Sequence, residues 1–92
     1  MKLLALTDFS ATSAQALQYS IDLLQNVPSG TLHVLHVVEH QKDTEKALAS
    51  LQAFVGNVRN PKNVEMHTDV ALGDLYDEVG LYTQKQSFDF LL

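Results

Sequence analysis

A single carboxylate stands directly after an apolar run near the start of the chain. The run covers residues 3–6 and is followed by Thr7 and Asp8. In open α/β sheets, ligands bind beyond the carboxyl ends of the strands, where the strand order reverses. If the run is a central strand, Asp8 lies at that crevice and can accept a hydrogen bond from a ribose hydroxyl or an adenine amino group. An aspartate here can equally cap the next helix or brace its loop, so both roles stay open.

The hydroxyl side chains that follow are better suited to capping a helix than to catalysis. Ser10, Thr12 and Ser13 have no activating histidine in a nucleophile arrangement. Each is a candidate N-cap residue, and Thr12 with Gln15 has the spacing of a capping box. The sequence therefore predicts a helix that begins in this stretch.

The histidines and the acidic cluster do not predict a metal centre. His33 and His36 lie three residues apart on a predicted strand, where their side chains point to opposite faces and cannot easily share one ion. We interpret both as core or strand-end residues. His40 and His67 have no clustered partner and are expected to be exposed. The acidic stretch around Asp74 is expected to be the solvated first turn of a helix.

Strands and helices alternate along the whole chain. A continuous apolar run at residues 3–6 and largely apolar runs at 32–38, interrupted by two histidines, and 88–92, interrupted by Asp89, predict buried strands. Strict alternation over 64–70 predicts a half-exposed edge strand. Apolar residues at helical spacing predict three helices between them. Their stripes are Ala14, Leu17, Ile21 and Leu24; Leu48, Leu51, Val55 and Val58; and Leu75, Val79 and Tyr82. The order β-α-β-α-β-α-β predicts a parallel sheet with helices on both faces.

Composition excludes several classes of protein. A length of 92 residues suits one small domain, and 46% apolar with 18% charged residues is ordinary for a globular chain. The net charge is −5 and the six basic residues are scattered, so we expect no nucleic-acid partner. Neither a signal peptide nor a membrane-spanning stretch is visible, and cysteine is absent. We therefore expect a cytoplasmic protein without a membrane partner.

Three segments resemble the universal stress protein family. They are KLLALTDFSATSAQAL at the start, LHVLHVVE on the second predicted strand and FDFLL on the fourth. The resemblance extends from Lys2 to Leu92. It implies a three-layer Rossmann-like or flavodoxin-like parallel sheet of five strands, of the adenine nucleotide alpha hydrolase-like type. Residues 1–92 would then form a single domain, truncated before the fifth strand.

The resemblance also implies a nucleotide site and its residues. Leu6, Thr7 and Asp8 would lie near the nucleotide, with Asp8 serving adenosine and Val37 contacting adenine. The family's phosphate motif, Gly-x2-Gly-x9-Gly-Ser/Thr, follows the fourth strand and would lie past Leu92. We therefore expect ATP or another adenine nucleotide as the cofactor, bound weakly or not at all by this chain alone, and no metal.

The resemblance favours a non-enzymatic module of the stress response, resembling ATP-binding regulatory proteins. It implies a homodimer to which a fifth strand contributes. The alternative is an interaction module that binds no nucleotide and pairs with another chain through the open edge of the fourth strand.

Overall fold

A computed structural model describes residues 1–61 and 64–91, and it confirms the alternation of strands and helices. The elements are β1 (Lys2–Leu6), α1 (Ala11–Leu24), β2 (Thr31–Val38), a short 3-10 turn (Gln41–Asp43), α2 (Thr44–Gly56), β3 (Glu65–Leu72), α3 (Leu75–Lys85) and β4 (Phe90–Leu91). The last predicted strand, 88–92, begins later than expected, and Leu92 lies outside the described residues.

The four strands form one parallel sheet in the order β3-β2-β1-β4. The chain moves outward from β1 through β2 to β3 and then crosses to the other side of β1 for β4. The strand order therefore reverses beside β1, which meets the condition under which Asp8 was expected at the crevice. Register fixes which residues are neighbours: Leu6 lies beside Leu35 of β2, and His33 of β2 lies beside His67 of β3.

The main core lies between one face of the sheet and the helices α1 and α2. Its members are apolar side chains that are at most 2% exposed. They are Leu3, Ala5, Leu17, Ile21, Leu24, Leu32, Val34 and Leu51. Full burial of a leucine side chain contributes roughly 1.5–3 kcal/mol, so these contacts are the main source of stability.

The helix α1 begins at Ala11 because Ser10 is its N-cap. The Ser10 hydroxyl accepts a hydrogen bond from the Ser13 N–H at 3.1 Å, satisfying one of the unpaired donors at the helix start. The predicted capping box of Thr12 and Gln15 is wrong, because both residues already lie inside the helix. Of the three candidate caps, the first in the chain takes the role.

The inner face of α2 differs from the predicted stripe at one position. Leu51 is buried as expected, but Leu48 is 40% exposed and Ala47 takes its place against the core. Both positions lie close to the stripe that passes through Leu51, so periodicity alone does not choose between them. Val55 and Val58 pack against the core as predicted.

The helix α3 also departs from its predicted stripe. Val79 and Tyr82 are half-buried, but Leu75 is 48% exposed. The helix continues through Gly80 without interruption. Because Leu75 is the first residue of the helix, it lies near the ends of the strands rather than over the sheet.

The edge strand β3 follows its predicted alternation. Val64, Met66, Thr68 and Val70 are half-buried, whereas Glu65, His67 and Asp69 are exposed. The strand runs two residues further than predicted, to Leu72.

Candidate functional site

A cleft of about 770 Å³ opens at the carboxyl ends of β1 and β2. Its walls come from the end of β1, the start of α1, the end of β2 and the turn before α3. The lining residues are Leu6, Thr7, Asp8, Ser10, Thr12, Ser13, Ala16, His36, Val37, Glu39, Gly73 and Leu75. The fold thus brings together at one cleft all four residues predicted for a nucleotide site, Leu6, Thr7, Asp8 and Val37.

Asp8 braces the loop between β1 and α1. Its Oδ1 accepts a hydrogen bond from the Ser10 N–H at 2.9 Å, which was one of the two roles left open by the sequence. Hydrogen bonds from Ser10, through its side chain and its backbone, hold the pKa of the Asp8 carboxyl below its usual value. The carboxylate is exposed and therefore ionised at neutral pH, so it can accept further hydrogen bonds while bracing the loop.

A left-handed residue, Phe9, turns the chain beside Asp8. Its φ is +66°, which is uncommon for a side chain of this size. Three contacts hold it: the Phe9 N–H donates to Thr7 Oγ1 at 3.0 Å, and the ring packs against those of His36 and Phe54, with centroids 4.3 and 5.6 Å away. The loop is therefore fixed by the packed core as well as by its own hydrogen bonds.

His36 also lines the cleft, whereas its sequence pattern predicted only a core or strand-end residue. Its Nδ1 lies 2.7 Å from the carbonyl oxygen of Thr7. Since a carbonyl can only accept, Nδ1 carries the proton, and Nε2 of the neutral ring is left as an acceptor. His36 follows Leu35, which is beside Leu6, and this register is the reason it reaches Thr7. No local pattern in the sequence shows that neighbour.

Gly73 closes the cleft from the side of β3. Its N–H donates to the carbonyl of Val38 at 2.8 Å, and its φ of +145° is rarely adopted by residues with a side chain. Asp74 follows as the N-cap of α3 and accepts from the N–H groups of Tyr76 and Asp77. The predicted start of this helix is confirmed, and the Asp74 side chain serves to cap it.

The remaining histidines do not reach the cleft. His33 is buried on the sheet face away from α1 and α2, where its ring stacks on His67 at 4.8 Å and Nδ1 lies 3.2 Å from the hydroxyl of Tyr82. His67 is exposed as predicted, but it has partners, since its Nε2 is also 3.1 Å from Glu65. Within residues 1–61 and 64–91, no three potential metal ligands are grouped.

The buried His33 makes stability depend on pH. Burial, followed by His67 and Lys2, lowers its pKa, while Glu65 and Asp69 act in the opposite direction with smaller effect. The unfolded chain takes up a proton near the ordinary histidine pKa of about 6.5, but the folded chain resists it. We therefore expect the free energy of unfolding to fall as the pH drops below about 6.5, and to stop falling below the folded-state pKa.

Urea denaturation between about pH 8 and pH 5 measures this effect. His33→Gln is expected to flatten the pH dependence, whereas His40→Gln, at an exposed position, is expected to leave it unchanged. Identical pH profiles for the wild type and His33→Gln would show that His33 does not contribute.

The fold and the cleft define a class of protein: an open parallel α/β domain with a candidate ligand site where the strand order reverses. Within that class, residues 1–86 match the model of the universal stress protein family. The chain belongs to this family.

Two solved structures share the fold. Protein Rv1636 from Mycobacterium tuberculosis H37Rv superposes with a TM-score of 0.78 at 13% identity, over 98% of this chain and 67% of that one. The hypothetical protein MJ0577 superposes with a TM-score of 0.81 at 18% identity, over 99% of this chain and 72% of that one. They confirm the predicted Rossmann-like fold class. No curated protein matches the chain significantly.

None of the helices in the described part of the chain is long and apolar enough to span a membrane.

Proposed function

We propose that this chain is a regulatory module of the stress response whose cleft binds the adenosine part of an adenine nucleotide such as ATP. The observation that supports this most directly is the convergence of Leu6, Thr7, Asp8 and Val37 on one cleft at the reversal of strand order. We further propose a cytoplasmic location and action by binding rather than by catalysis.

The chemistry of the cleft suits a nucleoside. Its volume of about 770 Å³ lies within the usual range for small-molecule sites, roughly 300–1,000 Å³. Leu6, Val37 and Leu75 supply apolar surface for a base. Asp8 supplies an ionised acceptor, which fits a donor such as a ribose hydroxyl or the adenine amino group.

For residues 1–92 on their own, we expect the affinity to be low and to depend little on phosphate. Leu6, Thr7, Asp8 and Val37 are proposed to contact adenosine, whereas the family resemblance assigns the phosphate contacts to a motif that follows β4. We expect dissociation constants between about 0.1 and 1 mM, equivalent to roughly 4–5.5 kcal/mol, for both adenosine and ATP.

Substitution of Asp8 tests the proposal in an NMR titration of the labelled protein with adenosine. Asp8→Ala is expected to weaken binding at least about tenfold, because hydrogen bonds to charged groups contribute roughly 1.5–3 kcal/mol. Asp8→Asn retains an oxygen for the Ser10 N–H and should weaken binding less. Titration with inosine, which lacks the amino group, shows whether Asp8 serves the base or the ribose.

Glu45→Gln is the matched control, because Glu45 is an exposed carboxylate on α2 outside the cleft. It should bind adenosine like the wild type, and the largest shifts should occur at the amides of residues 6–8 and 37. Equal binding by the wild type and Asp8→Ala, or shifts confined to other surfaces, would contradict the assigned role of Asp8.

The alternative function is a protein–protein interaction module that binds no nucleotide. Among the described residues β4 lies at one end of the sheet order, and this position favours the alternative because an edge strand can pair with another chain. Absence of adenosine binding by the folded wild-type protein would favour this alternative.

A further inference from the structure

The strand β3 lies at the other end of the sheet, and its side chains are complementary to those of a second, antiparallel copy of the same strand. β3 spans eight residues, Glu65–Leu72, with no proline or lysine to block its edge. Among the described residues, no strand lies beyond it. We propose that two copies of this chain associate through β3, antiparallel and about a two-fold axis at Thr68, so that their sheets join into one continuous sheet.

The hydrogen bonds between β2 and β3 show which groups of β3 face outward. Gly73 N–H donates to the carbonyl of Val38, and Val38 pairs with Leu72. In a parallel ladder the bonding residues alternate, so the odd-numbered residues of β3 bond to β2. The even-numbered residues therefore direct their N–H and C=O groups toward the open edge.

A two-fold axis at Thr68 places each outward-facing residue of β3 opposite an outward-facing residue of the second copy, so their N–H and C=O groups can bond to each other. Thr68 then lies opposite Thr68 of the second copy, and Met66 lies opposite Val70 on the core face. On the other face, each His67 lies opposite an Asp69. An imidazole with a carboxylate and a threonine with a threonine are both favourable cross-strand pairs.

Neighbouring in-phase registers are less favourable because they oppose like charges. An axis at His67 places Glu65 opposite Asp69, and an axis at Asp69 places the two Asp69 carboxylates opposite each other. An axis between two residues pairs an outward-facing residue with one that already bonds to β2. The charge pattern of β3 thus favours the register centred on Thr68.

The accessibility of the charged face agrees with this pairing. The side chains of His67 and Glu65 are 52% and 68% exposed, so the charged face of β3 is open to a second copy. Nε2 of His67 contacts Glu65 of its own chain, and Nδ1 remains for the Asp69 of the second copy. Leu72, which is 45% exposed, would gain a neighbour in Val64 of that copy.

A cysteine at the axis tests the register, because the chain has no cysteine of its own. In the proposed dimer the two Thr68 Cα atoms lie about 5.5 Å apart, within the range of about 4.4–6.8 Å that a disulfide spans. Thr68→Cys is expected to form a covalent dimer under mild oxidation at least tenfold faster than Val70→Cys, whose Cα atoms would be roughly 14 Å apart. Equal rates in the two folded variants would overturn the proposal.

Sedimentation equilibrium tests association without a covalent bond. The wild type is expected to dimerise with a dissociation constant of roughly 100 μM, as suits a small interface. Thr68→Pro removes an outward N–H without breaking the β2 ladder and should raise that constant at least tenfold, whereas Thr68→Val should not. A folded wild type that stays monomeric at about 1 mM would also overturn the proposal.

Variants that exchange the polar partners at positions 67 and 69 distinguish this interface from any other contact between the two copies. His67→Asp alone opposes two carboxylates, and Asp69→Lys alone leaves His67 without its carboxylate acceptor, so each is expected to be monomeric. Mixed together they restore the imidazole–carboxylate pair and add a lysine–aspartate pair, and a heterodimer is expected. Failure of the folded variants to associate on mixing would contradict the charge pairing. The result is independent of adenosine binding, because the cleft and the edge of β3 are tested by different variants.

Discussion

Replacement of Leu51 by alanine is expected to lower the free energy of unfolding by about 2–5 kcal/mol. Leu51 is fully buried between α2 and the sheet, so its truncation leaves a cavity as well as losing apolar burial. For a domain of this size, each kcal/mol corresponds to about 4–8 °C in Tm. The expected drop in Tm is therefore at least about 8 °C.

Leu48→Ala is the matched control, since it makes the same chemical change one turn away on the same helix. Leu48 is 40% exposed, so its truncation is expected to change the free energy of unfolding by only about 0.5 kcal/mol. Urea denaturation followed by circular dichroism measures both variants. Equal losses at the two positions would contradict the assignment of Ala47 and Leu51 to the inner face of α2.

Alanine substitutions at two glycines are expected to change stability in opposite directions. Gly73→Ala should destabilise the fold by about 1–3 kcal/mol, because a φ of +145° is strained for any residue with a Cβ. Gly80→Ala should stabilise it by about 0.5–1 kcal/mol, because Gly80 lies inside α3 and an added Cβ meets nothing within 4 Å.

The same denaturation experiment measures both glycine variants. At Gly73 an added Cβ would also lie 3.1 Å from Glu78, but that side chain can move, so the backbone conformation is the main cause. The double variant Gly73→Ala with Glu78→Ala is therefore expected to remain destabilised. Full recovery in the double variant would show that the steric contact, and not φ, determines the loss.

Local patterns predicted most of the fold. The apolar runs of β1 and β2, the alternation of β3 and the stripe of Leu17, Ile21 and Leu24 on α1 are all found as predicted. These features depend on neighbours within a few residues along the chain. Periods of 2.0 and 3.6 residues are therefore enough to reveal them.

The wrong predictions fall at positions where two nearby residues fit the local sequence pattern almost equally well. Ser10 and Thr12 are both good N-caps, and only the path of the chain after β1 decides that the helix starts at Ala11. Leu48 and Ala47 both lie close to the stripe of α2, and only the packing of the helix on the sheet shows that Ala47 is the buried one. Packing geometry of this kind is not encoded in periodicity.

The residues of the candidate site were likewise predicted only in part from the sequence. The sequence by itself determined a parallel α/β chain, an aspartate at the end of a central strand and, through resemblance, the universal stress protein family. The tertiary structure decided that His36 and Gly73 join that aspartate at one cleft and that His67 lies against His33. The physical reason is strand register: it brings together residues distant in the chain, and register is set by the packing of the whole sheet.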